Sequence, residues 1–166
     1  MRFPTYQDLD EFFRRPALTK AAMNLWPPFR GSSITILHIT DDFRRVRVRL
    51  ALRKLTANYL GTLYGASLFS MTDPWWVMML ARNLGRDYSV WDASAQIDFI
   101  SKGTRHVFAE FELDEASLDD IRRETADGEK HLRWFSTDII TADGTLVARV
   151  NKQVYVRKKP HARGLQ

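Results

Sequence analysis

At 166 residues, with 45% hydrophobic and 27% charged content, the chain has the make-up of one globular domain with a sizeable core. It contains no cysteine, which excludes disulfides and thiolate metal sites and suits a reducing, cytoplasmic setting. The net charge of +5 favours anionic partners, while the longest apolar run, Trp75 to Ala81, is far too short to span a bilayer.

The elements follow in chain order. Residues 5–14 form a predicted helix with Thr5 as N-cap and Leu9, Phe12 and Phe13 on one face; Met1 to Asp8 lack the apolar core of a signal peptide. Pro16 interrupts this helix, and a second helical piece over 17–25 runs into Trp26-Pro27-Pro28, predicted to be extended. This arm, residues 1–32, is expected to pack over the outside of a core spanning 33–156, with a basic tail over 157–166. A strand from Ile34 to Ile39 is apolar on both faces, so His38 is expected as a hydrogen-bonded core residue, and Asp41-Asp42 make a turn. From Phe43 the alternation is regular: Val46, Val48, Leu50 and Leu52 face one way, and Arg45, Arg47, Arg49 and Arg53 the other. Period two over this length marks a strand with one wet face.

The segment 65–84 is apolar nearly all round and reads as a buried helix, awkwardly interrupted by Pro74 and stopped at Asn83-Leu84-Gly85. Long strands follow over about 88–101, 104–113, 130–142 and 145–156, the last two joined by the hairpin signal Asp143-Gly144. A helix over 115–127 lies between the second and third, with Asp114 at its N-terminus. This order defines a single α+β domain with an antiparallel sheet around one helix.

Chemistry concentrates before and within the apolar helix. Asp73 is a carboxylate beside Met71, Trp75 and Trp76, where a charge needs a partner or a use. The amides of Gly65 and Ala66 fall at a helix start, where N–H groups lack intrahelical partners. Together such groups can activate water and stabilise an oxyanion. Each also has a structural reading. Asp73 followed by Pro74 matches an N-cap, Gly65-Ala66 a close-packed turn, Tyr64 a packing aromatic and Asn58 a loop lock. The histidines show no metal-ligand spacing, and Ser67 lacks the closing glycine of a nucleophile elbow.

Asn58, five residues, Tyr64-Gly65-Ala66, then Asp73 seven positions later: this spacing resembles the hotdog-fold acyl-CoA thioesterases, in the phenylacetyl-CoA thioesterase-like branch. That branch reads Asn, five residues, His-Gly-Gly and an acidic residue at the same distance. Here Tyr64 replaces the histidine and Ala66 the second glycine. The run Ser94 to Gly103 resembles the family's first strand after the helix, and the resemblance covers roughly residues 33–156. It implies a hotdog fold, a homodimer or homotetramer joined edge to edge with the site at the interface, and hydrolysis of an acyl-CoA or related thioester. Asp73 is then general base or nucleophile, the Gly65 and Ala66 amides hold the oxyanion, and Asn58 and Tyr64 position water or carbonyl. No metal or redox cofactor is implied beyond the CoA of the substrate. Trp75 and Trp76 are candidates for an acyl pocket, and Arg45, Arg47 and Arg49 for the CoA phosphates, against a solvated-face alternative. Aromatic interleaving for nucleic-acid stacking is absent from the arginine block. The alternative is a non-catalytic hotdog protein that binds acyl or other apolar ligands, to which the Tyr64 and Ala66 departures give weight.

Overall fold

A computed structural model describes residues 15–160. The predicted helix over 5–14 and the tail beyond Pro160 lie outside the described residues. Six strands, β1 (Ile34–Ile39), β2 (Arg45–Leu50), β3 (Tyr88–Phe99), β4 (Val107–Glu112), β5 (Lys130–Thr141) and β6 (Leu146–Lys158), form one sheet in the order β1-β2-β4-β5-β6-β3. Every neighbouring pair is antiparallel. Val46, Val48 and Leu50 of β2, Val107 and Ala109 of β4, and Val150 and Val154 of β6 are buried on one face. The helix that fills that face contributes Trp75, Trp76, Met79 and Leu80 to the same core. This is the hotdog arrangement expected from the sequence.

The central segment is not one helix. It divides into α3 (Gly65–Ser70) and α4 (Trp75–Leu84), separated by a turn over 71–74. Pro74 explains the break: it has no N–H to donate, and its ring excludes the carbonyl one turn earlier. The chain compensates locally. Asp73 N donates to Ser70 O (3.2 Å), Thr72 Oγ1 to Phe69 O (2.8 Å) and the Trp75 indole to Met71 O (2.9 Å). Gly85, at φ +84°, ends α4 as expected, its amide bonded to Ala81 O.

The N-terminal arm contains the expected second helical piece and corrects one expectation, the extended Trp26-Pro27-Pro28. Pro16 starts a helix, α1 (Pro16–Leu25), and Pro27 starts another, α2 (Pro27–Gly31); only Trp26 between them is extended. Proline suits the first helical position because its missing N–H is unneeded there. α1 lies along the outer edge of β1. Asn24 accepts from Ile36 N (2.7 Å) and donates to Ile36 O (3.2 Å), and Lys20 donates to Leu37 O (2.7 Å). These side chains occupy backbone groups that would otherwise template another strand. Asn24→Ala is therefore expected to lower stability by about 1–3 kcal/mol in urea unfolding; an unchanged midpoint would show that water replaces the bonds without loss.

A register shift between Ile36 and His38 turns His38 outward, so this histidine is exposed and not in the core. The expected helix after Asp114 is α5 (Glu115–Glu124), capped by the Asp114 carboxylate accepting from Ser117 N (2.7 Å). At the opposite edge of the sheet, β3 pairs with β6 alone among the described residues.

Candidate functional site

Tyr64 is the N-cap of α3, with extended backbone (φ −70°, ψ 128°), and its carbonyl accepts from the amides of Ser67 (3.0 Å) and Leu68 (3.1 Å). The Gly65 and Ala66 amides precede them in the first turn and donate to no group among the described residues. Gly65 lies beneath β3: a Cβ there would stand 3.1 Å from Cζ of Phe99. Beside it opens a cavity of about 400 Å³ lined by Asn58, Leu63, Gly65, Leu68, Phe99 and Lys102 among others. The amide side chain of Asn58 is consumed by its own loop, accepting from the amides of Leu60 (3.0 Å) and Thr62 (3.1 Å) and donating to Thr62 Oγ1 (2.9 Å). Of its two sequence readings, the geometry matches the loop lock. The half-exposed Tyr64 ring lines a neighbouring cavity of about 430 Å³ with Tyr59 and Ser67.

Asp73 stands in the turn between α3 and α4. Its carboxylate does not cap α4: the N-cap position is Pro74 and no side chain caps it. It engages Lys152 of β6 instead. Lys152 Nζ donates to Asp73 Oδ1 (3.0 Å), to Asp73 O (2.6 Å) and to Asp92 Oδ2 (2.6 Å). The Lys152 side chain is 1% exposed, whereas those of Asp73 and Asp92 are 57% and 32% exposed. Asp73 Oδ2 has no partner among the described residues.

Lys152 and Asp92 were not among the sequence candidates. Lys152 carries a readable signal, since it interrupts the core-facing row Ala148, Val150, Val154, Val156 of β6. Asp92 reaches it through a bulge. Asp92 lies opposite Val154 but Ala95 lies opposite Lys152, so three residues of β3 span two of β6. The shift puts Asp92 and Ala95 on the same face, which strict alternation forbids.

The remaining candidates lie elsewhere. Trp75 and Trp76 are buried, packed against Phe29, Phe111 and Phe135, with the Trp76 indole donating to Thr137 Oγ1 (3.0 Å). They form part of the core. An apolar groove of about 510 Å³ does lie next to Asp73, formed by Pro74 and Met78 with Ala22, Met23, Leu25 and Trp26 of the arm. Arg45, Arg47 and Arg49 project from the sheet face opposite α4, away from both Asp73 and Gly65. Glu112 and Glu110 stand directly across from Arg45 and Arg47 and pair with them, Arg47 Nε at 2.9 Å, and Arg47 also lies 5.2 Å from the Phe108 ring centroid. Arg49, opposite Phe108, has its Nε buried without a partner among the described residues.

Within one chain the carboxylate and the free amides are far apart. Gly65 sits under Phe99 and Asp73 is linked to Asp92, seven residues earlier on β3, and the eight residues of helix and turn from Gly65 to Asp73, rising about 1.5–2 Å each, hold the two about 12–16 Å apart.

Known structures share this architecture. PA5026 of Pseudomonas aeruginosa, a probable thioesterase, superposes with a TM-score of 0.76 at 15% identity, covering 87% of this chain and 99% of its own. Thioesterase HI1161 of Haemophilus influenzae gives 0.59 at 11% identity over 95% and 93%. A mutant of the phenylacetic acid degradation protein PaaI from Thermus thermophilus gives 0.55 at 16% identity over 78% and 97%. The molecule thus has the hotdog fold. Its sequence belongs to the family described as a domain of unknown function, DUF4442, whose model matches residues 14–156. No curated protein matches the chain in sequence. No helix among the described residues is long and apolar enough to cross a membrane.

Proposed function

We propose that the protein hydrolyses an acyl thioester, with CoA as the carrier, at a site completed by a second copy of the chain. The observation that carries this reading is the pairing of two unpartnered amides at the α3 start with a carboxylate held by one oxygen only. Asp73 takes a proton from water as the water oxygen bonds to the thioester carbonyl carbon. The Gly65 and Ala66 amides then receive the oxyanion, and collapse breaks the C–S bond, the thiolate recovering the proton. The Met78 groove is the candidate for the acyl group.

A second copy resolves the separation of Asp73 from the amides. Antiparallel pairing of two β3 edges sets the Phe99 end of one strand beside the Asp92 end of the other, bringing Gly65 of one protomer toward Asp73 of its partner. The protected β1 edge leaves β3 as the available one. Sedimentation at micromolar concentration is expected to give a dimer; monomer alone would count against the shared site. The cytoplasm suits a chain without cysteine.

Because Arg47 already pairs with Glu110, Arg47→Gln is expected to leave KM for a CoA thioester unchanged. A KM raised for CoA thioesters but not for short thioesters lacking CoA would return Arg47 to phosphate binding. The direct test of the activity is a panel of acyl-CoAs with released thiol as readout. Turnover is expected. Acyl-CoA binding in calorimetry without thiol release would establish the ligand-binding alternative, which Tyr64 and Ala66 at the motif positions favour.

A further inference from the structure

We propose that Lys152 is a positioning residue that fixes the Asp73 carboxylate for proton abstraction, with Asp92 sharing the ammonium so that it does not close on Asp73 alone; this rests on the reading of Asp73 as the base. The buried ammonium is costly where an apolar side chain would pack as well, for its row neighbours are Val150 and Val154 and its Nζ lies 5.7 Å from the Phe69 ring centroid.

An ammonium has three N–H donors, and here three acceptors take them: Asp73 Oδ1, Asp73 O and Asp92 Oδ2. None is left for substrate, so Lys152 acts through the groups it holds. It grips the backbone carbonyl and one carboxylate oxygen of the same residue, which fixes the side-chain torsion of Asp73 and leaves Oδ2 without a partner among the described residues. Asp92 changes the charge balance. A lone Asp73–Lys152 pair would close the ammonium on one carboxylate, whereas here Asp92 Oδ2 takes one of the three N–H groups and Asp73 Oδ1 only one. The β3 bulge is what places Asp92 there.

Steady-state thioester hydrolysis by Lys152→Met, Asp92→Asn, Asp73→Asn and the Lys152→Met/Asp73→Asn double variant tests this. Lys152→Met is expected to fold, because both carboxylates reach solvent and the methionine fills the apolar row. Its kcat is expected to fall about 10- to 100-fold with KM unchanged, the size of effect a misplaced catalytic group produces. In the Asp73→Asn background the same substitution is expected to cost nothing more, since its effect passes through Asp73. Asp92→Asn, which keeps an acceptor but removes a charge, is expected to lower kcat in the same way and supplies the test should Lys152→Met not fold. Additive losses in the double variant, or natural kcat in folded Lys152→Met or Asp92→Asn beside an inactive Asp73→Asn, would overturn the proposal while leaving Asp73 as base. Full activity in Asp73→Asn, or none in the natural protein, would remove the reading of Asp73 and this proposal with it.

Discussion

Asp73→Asn is expected to yield a folded protein whose thioester turnover is lower by ~10²-fold or more, the size of a positioned general-base effect. The carboxamide oxygen still accepts from Lys152 Nζ, Asp92 still balances the ammonium, and no helix cap is lost because Asp73 does not cap α4. What disappears is the ability to accept a proton at Oδ2. Thermal unfolding checks the fold and thiol release checks the chemistry. A protein that unfolds at the natural temperature and keeps natural turnover would rule out Asp73 as base.

Gly65→Pro is expected to lower kcat by ~10²–10³-fold, the usual loss when one oxyanion donor is removed. Proline fits the first helical position, and the extended backbone of Tyr64 before it is what a residue preceding proline requires. The Gly65 amide makes no intrahelical bond, so its removal costs the helix nothing. The Phe99 ring, 3.1 Å from an added Cβ, must move, but it is an exposed side chain at the sheet edge. Gly65→Ala displaces the same ring while keeping the amide. It is therefore the control, expected to retain most of the turnover that Gly65→Pro loses. Equal losses in the two variants would assign the effect to Phe99 and not to the amide.

Much of the fold is legible in the residues because its signals are local. The alternation from Arg45 to Leu50, the Asp143-Gly144 hairpin and the stop at Gly85 each depend on a few neighbours, and each stands where the sequence places it. An apolar surface on all sides announces burial but not continuity, which is why 65–84 reads as one helix although Pro74 divides it. The site is half legible. Gly65, Ala66 and Asp73 belong to one short segment whose spacing is visible. Lys152 is visible only as a charge in an apolar row, and naming its partners requires the sheet order. Asp92 is hidden more deeply, because a single inserted residue at the bulge inverts the face on which alternation would put it. The protection of the β1 edge by Asn24 is equally invisible, since a helix and a strand twelve residues apart must first be docked.

The proposed shared site makes a demand that a site within one chain does not. Each inactive variant retains the half that the other lacks: Asp73→Asn subunits keep the Gly65 amide, and Gly65→Pro subunits keep the Asp73 carboxylate. When the two are unfolded together and refolded as a mixture, half of the dimers are mixed, and each mixed dimer carries one site with both halves intact. The mixture is predicted to regain about a quarter of natural turnover by thiol release, the fraction that two-fold pairing dictates. A refolded mixture no more active than either variant alone would contradict a site built from two chains.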